Sequence, residues 1–448
     1  MNLSKKSYLH IGCLVSVTAL LYTRSLSNEF LFHWDDQWVA INIYTEQGFS
    51  AHNLWLVLTD FYHGQYAPLN ELLYIIVFSL FGYNPVAFHA ASILLHVCNV
   101  VLVYLFISAL LQGMVRGGTA DYSISKQRCI AFVTALLFAV SPVCVEAVSW
   151  VSASKVLVYS FYYLIALCLY LKYVETGSRT VYLLVLLFFI LSFGGKEQAV
   201  VFFLCCLLTD YATGRKDAMT DILLEKIPMI LLALFFGCIT IMSQGAGGPD
   251  SGAQYGMCER CLLACYSLFE YIVKAFLPFN LSYIYPFPFL PGEHVPLHMF
   301  LYPLAVAALA YTVYSYRKNR LVVFASLYFL VHLLVALHII SISRFAVTAD
   351  RYAYLSLVAS CLIVSILFVK LAQGRTRVIA GIALCLYISY LGAYTFNYQK
   401  QWKNSTTLKH HIREILKTRQ DLNPPAKEII SVGRVSDTQT NNQDYETE

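Results

Sequence analysis

The stretch Phe32-His33-Trp34-Asp35-Asp36-Gln37 sets two adjacent carboxylates between Trp34 and Trp38, directly after the first strongly apolar segment. A carboxylate so placed can take the proton from a hydroxyl as that hydroxyl attacks another centre. The plainer reading is an aspartate pair capping a short surface helix, with aromatic residues at a lipid interface. Other ionisable groups recur further along: Glu146, Lys155, the pair Lys196-Glu197, Arg260 and the pair Asp350-Arg351. Lysine and arginine can hold a phosphate and stabilise its charge as it leaves. Plainer readings exist here too. Lys196-Glu197 can be a solvated turn pair, Asp350-Arg351 an ion pair within its loop, and Glu146 a helix-end carboxylate facing water.

The elements that must position these groups are membrane helices. The chain has 448 residues, 58% hydrophobic and 13% charged, with a net charge of +5. Soluble domains usually carry about 25% charged residues, so lipid is the expected solvent. The charge is too small and dispersed to suggest nucleic acid. Lys5 and Lys6 precede an apolar run over 9–26, read as a retained first helix starting in the cytoplasm. A polar and aromatic outer loop over 27–84 follows, with a helix at 68–81 too short to span. Crossings are expected at about 85–111, 129–143, 156–172, 180–193, 198–212, 227–243, 299–316, 321–340, 352–370 and 377–394. With the first helix that makes about eleven, N-terminus inside and C-terminus outside. Glu270 and Lys274 interrupt 260–278, which is read as interfacial or re-entrant, with the two charges paired at i, i+4. Residues 1–396 are taken as one transmembrane domain. Residues 397–448 are taken as a polar outer tail, mostly disordered past Gln420.

On this topology Asp35, Asp36, Glu146, Lys155, Lys196, Glu197, Arg260, Asp350 and Arg351 all fall on the non-cytoplasmic face. An outer carboxylate facing outer cations suits transfer of a sugar from a lipid-phosphate carrier. No glycine-rich phosphate loop or dinucleotide fold is visible. Most of the thirteen cysteines lie in apolar runs, and the lone pair Cys258 and Cys261 lacks a partner set for zinc. No metal or other cofactor is expected. His96 and Asn99, one turn apart, read as makers of interhelical hydrogen bonds, and His332 and His338 read as packing histidines.

The order of motifs resembles a known family. It runs from Phe32-His-Trp-Asp-Asp-Gln37 through Ala67-Pro-Leu69, Phe81-Gly82-Tyr-Asn84, and His89 with His96 and Asn99. It continues with Ser141-Pro-Val-Cys-Val-Glu-Ala-Val148, Lys196-Glu197, Tyr271 to Pro278, Asn280-Leu-Ser282, Tyr285-Pro286 and Asp350-Arg-Tyr-Ala-Tyr-Leu355. Over about 8–410 the chain resembles GT-C-fold glycosyltransferases of the protein O-mannosyltransferase superfamily. The likeness is to the cadherin-type transmembrane O-mannosyltransferases and, in its Trp-Asp-Asp form, to their bacterial relatives.

The resemblance implies an all-α, GT-C-like bundle that transfers a sugar from a polyprenyl-phosphate donor, with inversion and usually without a metal. It implies that Asp35 or Asp36 is the catalytic base. Glu146, Lys155, Lys196, Glu197, Arg260, Asp350 and Arg351 become the candidates for binding donor phosphate or sugar. The acceptor is expected to be a protein hydroxyl or a glycolipid. A bacterial inner membrane is favoured, or the endoplasmic reticulum if the source is eukaryotic. Two departures stand out: Cys144 where relatives often carry histidine, and Ala153-Ser154-Lys155-Val156 where they carry an Arg-Lys-Asp-like cluster. The family's tetratricopeptide repeats are expected to be absent, which points away from a large protein acceptor. Two rival readings remain, a flippase for lipid-linked sugar and a catalytically dead scaffold.

Overall fold

The computed structural model describes residues 4–245, 255–339 and 346–418. Among these the regular structure is helical, with two isolated β-bridges and no strand. The protein is a helical integral membrane protein. Each of the eleven segments expected to cross contains a helix, though that in 321–340 ends at Leu333, and Pro68–Phe81 and Met257–Phe276 are helical too. By length and composition, six helices among the described residues can cross alone: Lys5–Ser27, Pro85–Arg116, Val151–Thr176, Met219–Ser243, Leu297–Ser315 and Gly374–Trp402. Ile124–Ala139 and Pro142–Ser149, bent by 51°, would make a seventh as one broken span. Arg179–Phe193, Arg320–Leu333 and Ser356–Leu371 are apolar but shorter. Fifteen helical residues rise only about 22 Å, against a hydrocarbon core of about 30 Å.

Pro85–Arg116 is the central helix. Val100, Val103, Phe106, Ile107 and Leu110 along it are fully buried. Ser154–Thr176 and Ile124–Ala139 pack beside it. His96 Nδ1 meets the Tyr354 hydroxyl at 2.7 Å, and Asn99 Nδ2 donates to the Leu157 carbonyl at 3.1 Å and to Tyr354 at 3.2 Å. These are interhelical hydrogen bonds, made to Tyr354 and Leu157 and not between His96 and Asn99. His332 instead bonds within its own helix, to the Tyr328 carbonyl at 2.9 Å.

Two local breaks bring polar groups to one end of the bundle. Proline disfavours helical geometry in the residue before it. Ser141 is accordingly extended, and Pro142 starts a new short helical stretch that leads into Val145–Ser149 and carries Glu146. The second break is Gly194-Gly195. A Cβ on Gly195 would lie 2.5 Å from the Tyr159 backbone nitrogen, so only glycine lets this turn close on the Ser154–Thr176 helix. Leu69 packs against Gly194 and donates its N–H to the Gly194 carbonyl at 2.8 Å. Lys196 follows directly.

The segment after Asn397 keeps packing on the body. Trp402, Leu408 and Ile412 are buried. Glu29 donates its N–H to the Lys403 carbonyl at 2.8 Å, and Ser405 Oγ donates to the Phe32 carbonyl at 2.5 Å. This segment and the first loop therefore share one end of the bundle. The tail expected to be disordered past Gln420 lies outside the described residues, as do 341–345 and most of the glycine-rich stretch near 245–256.

Candidate functional site

The two aspartates of the first loop have different surroundings. Asp36 opens the short helix Asp36–Val39 and is fully buried. Its Oδ2 accepts from the Leu31 N–H at 2.7 Å, and its Oδ1 accepts from the Ser152 N–H at 2.9 Å and from the Ser152 hydroxyl. Burial pushes its carboxyl up to about 7, against the pull of those hydrogen bonds. Asp36 ties the loop to residues 116 positions away.

Asp35 sits at the N-cap position, but its side chain makes no capping bond. Its backbone is left-handed, with φ 78°, as is that of His33, with φ 70°. Such geometry costs about 1–3 kcal/mol for a non-glycine residue and clusters at functional sites. Half-buried, the Asp35 carboxylate has no hydrogen-bond or ion-pair partner among the described residues.

An aromatic wall stands beside Asp35. Trp150 Nε1 donates to the Trp34 carbonyl at 2.9 Å. The Tyr283 ring lies edge-on to Trp34 at 5.0 Å and to Trp150 at 5.2 Å. The Tyr283 hydroxyl lies in the electrostatic field of Asp35, Arg351 and Glu146. Tyr283, Trp150 and Ser152 were not singled out from the sequence, and Tyr352 only as part of the Asp350 to Leu355 motif. The only signal for the aromatic ones was a high aromatic content, and Ser152 had none.

Glu146 is fully buried and paired, not facing water. Its carboxylate accepts from the Arg351 N–H at 2.8 Å and forms an ion pair with the Arg351 guanidinium. That guanidinium also stands over the rings of Tyr352 at 5.0 Å and Trp150 at 5.2 Å. Asp350 pairs elsewhere: the Tyr285 hydroxyl donates to its two oxygens at 2.9 and 3.1 Å. Burial raises the Asp350 carboxyl, and Lys274 pulls it back. Lys274 forms the expected i, i+4 pair with Glu270 at 3.7 Å.

Lys196 is buried, 3.5 Å from Glu197 and over the Tyr352 ring at 5.0 Å. Lys155 donates to Gln65 Oε1 at 2.5 Å and lies within electrostatic reach of Lys196, Glu197 and Arg351. Three cations thus gather against Glu146 and Glu197, a surplus that suits a phosphate.

Arg260 is the candidate not gathered. It lies on Met257–Phe276, 14 residues before Lys274, which is about 21 Å of helix rise. Among the described residues its guanidinium reaches only the Ile339 carbonyl, at 3.5 Å.

The two departures from the family pattern have structural explanations. Cys144 is fully buried in the core, its Sγ 3.6 Å from the Phe138 carbonyl. Ser154 Oγ bonds Asn70 Oδ1 at 2.8 Å and the Tyr74 hydroxyl at 2.9 Å, locking the helix that starts at Pro68 onto Ser154–Thr176. Cys258 and Cys261 are exposed free thiols. Among the described residues no three His, Cys, Asp or Glu side chains are placed to share a metal ion.

Glu71 closes a neighbouring cavity, also lined by Trp38, Tyr62, Gln65 and Lys155. It accepts from Thr45 Oγ1 at 2.7 Å and Asn42 Nδ2 at 3.3 Å. Burial pushes its carboxyl up to about 7, against about 4.3 in an unfolded chain. The folded state therefore holds this proton more tightly. The stability it confers is complete below about pH 4 and is lost as pH rises through about 7. Asp36 acts in the same direction. Melting temperature in neutral detergent should fall from about pH 5 to about pH 8, and Glu71→Gln should flatten that slope in part. Identical slopes for both proteins would contradict the assignment.

No family model matches the chain. It is 32% identical over 173 residues to the protein O-mannosyl-transferase TMTC1 of Homo sapiens, a match covering 37% of this chain and 18% of that one. The Mus musculus TMTC1 matches at 32% identity over 37% of this chain and 17% of its own. The Mus musculus protein O-mannosyl-transferase TMTC4 matches at 30% identity over 36% and 23%. The chain thus spans about a fifth of the length of these curated relatives. Among solved structures, the crystal structure of ArnT from Cupriavidus metallidurans bound to undecaprenyl phosphate is similar with a TM-score of 0.39. Its identity is 13%, over 94% of this chain and 82% of that one. Over roughly a third of its length, then, the chain is similar to protein O-mannosyl-transferases, the superfamily its motifs resemble.

Proposed function

We propose that the protein is a GT-C-like membrane glycosyltransferase that moves a sugar from a polyprenyl-phosphate donor to an acceptor hydroxyl on the non-cytoplasmic face. The observation that carries this reading is Asp35: a carboxylate on left-handed backbone with no partner among the described residues, acting on the Tyr283 ring together with Arg351. Similarity to protein O-mannosyl-transferases supports the reaction class and a protein hydroxyl as acceptor.

In this mechanism the Asp35 carboxylate accepts the acceptor's O–H proton. The freed oxygen pair forms a bond to the anomeric carbon. The bond from that carbon to the phosphate oxygen breaks, and polyprenyl phosphate leaves with the electron pair. A single displacement inverts the anomeric centre. Lys155, Lys196 and the free edge of Arg351 hold the leaving phosphate. Glu146 fixes Arg351, and Tyr283 with Trp150 shapes the sugar's wall. Asp36 and Asp350 position the loops. The N-terminus lies in the cytoplasm and residues 397–418 on the outer face. That face is periplasmic in a bacterial inner membrane and lumenal in the endoplasmic reticulum.

The test is mass spectrometry of proteins and outer-face glycolipids from cells with and without the gene. A defined sugar should disappear without it and return with the unmutated chain. Unchanged conjugates in both cell lines would sink the proposal.

A further inference from the structure

The hydrogen bonds of His96 and Asn99 join the elements that carry the site's charged groups. Both residues are fully buried on the central helix, one turn apart. Asn99 Nδ2 donates to the Leu157 carbonyl at 3.1 Å and to the Tyr354 hydroxyl at 3.2 Å. A carbonyl only accepts, so the amide nitrogen and not its oxygen must face Leu157. The Tyr354 oxygen accepts from Asn99, and its proton goes to His96 Nδ1, 2.7 Å away. Leu157 lies two residues after Lys155 on Ser154–Thr176. Tyr354 lies three residues after Arg351, directly behind the short helix Asp350–Ala353. Phe138 packs on the Tyr354 ring at 5.0 Å and on His96 at 5.7 Å, and it leads into the break that carries Glu146.

We propose that Asn99 and His96 are positioning residues for the donor's phosphate: touching no substrate themselves, they set the spacing of Lys155 and Arg351 through Leu157 and Tyr354. This rests on the reading above, in which those two cations hold the leaving phosphate. Lys155 lies in the field of both Lys196 and Arg351. Like charges held close repel, so a phosphate site without its phosphate tends to spread. Neutral hydrogen bonds from the central helix hold the two cation-bearing elements together before the donor arrives. Charges fixed in advance in this way stabilise a developing anion without reorganising. Packing alone does not call for an amide here. Asn99 Oδ1 is buried and has no hydrogen-bond partner among the described residues. A buried oxygen left unbonded is costly, and an apolar side chain of similar shape avoids that cost. Leucine at position 99 would therefore serve stability as well, but it could not grip Leu157 and Tyr354 together.

The full chain, purified in neutral detergent, would be titrated with undecaprenyl phosphate, with binding read by native mass spectrometry. Asn99→Leu, Tyr354→Phe and His96→Leu would be compared with Lys155→Gln as reference, and melting in detergent alone would give each folded fraction. Asn99→Leu should melt close to the unmutated chain. The folded fraction of each of the three should nevertheless bind undecaprenyl phosphate about tenfold more weakly. In transfer assays the donor KM should rise by about the same factor while the acceptor KM stays unchanged, a split that a general loosening of the fold would not give. His96→Asn, whose amide oxygen can take the Tyr354 proton, should recover most of the loss. If the folded variants bind as the unmutated chain does while Lys155→Gln binds less, the residues are structural only and this proposal alone is overturned. If the unmutated chain binds no undecaprenyl phosphate, or Lys155→Gln changes nothing, the functional reading falls and the proposal with it.

Discussion

Asp35→Asn should lower the rate of sugar transfer by about 10²- to 10⁴-fold, the usual contribution of a positioned general base, and leave the melting temperature unchanged. The Asp35 carboxylate has no partner to lose among the described residues, and asparagine tolerates left-handed backbone too. Asp36→Asn should do the reverse. Asp36 accepts from two backbone N–H groups and one hydroxyl. An asparagine amide keeps one acceptor oxygen and points its NH₂ at a donor. At least one buried N–H then loses its acceptor, which costs about 1–3 kcal/mol. The folded fraction of Asp36→Asn should retain transfer. Melting and transfer assays on both variants give four numbers. An active Asp35→Asn beside a stable but inactive Asp36→Asn would assign the base to Asp36 instead.

Arg351→Gln should produce the largest loss of stability. Glu146 is 0% exposed, and the guanidinium that faces it is 18% exposed. Removing one partner of a buried pair strands the other charge, at a cost of about 3–5 kcal/mol. Glu146→Gln should cost less, because Arg351 still lies over Tyr352, Trp150 and Tyr283 and reaches solvent. The double variant should recover a good part of the Arg351→Gln loss, since no carboxylate is then left buried. A double-mutant cycle reads this coupling directly. Additive losses would show that the pair is not energetically coupled. Transfer should stay low in the double variant even where stability returns, because the phosphate contact assigned to Arg351 is gone.

Much of the architecture was legible from local chemistry. Apolar run length located the helices, including the one too short to span at 68–81. The Glu270–Lys274 pair followed from helical spacing alone. The helix over 68–81 needed nothing from outside its own segment, and the one expected over 85–111 starts as read and runs on to Arg116. Run length was a poorer guide to the number of crossings. Several expected spans are short helices, and length and composition do not qualify them to cross alone.

The sequence by itself determined that this is a helical membrane protein and which ionisable residues are out of place in lipid, because hydropathy and spacing are local properties. Only the tertiary structure decided which of those residues meet. Asp35 and Asp36 are neighbours of the same type, yet Asp36 is buried by Ser152 from another segment while Asp35 is left open. Glu146 and Arg351 are 205 positions apart and form one buried pair. Arg260 carries the same charge as Arg351 but is held far along a different helix. Pairing and desolvation depend on which surfaces the packed helices bring within a few ångströms, and no local pattern encodes that.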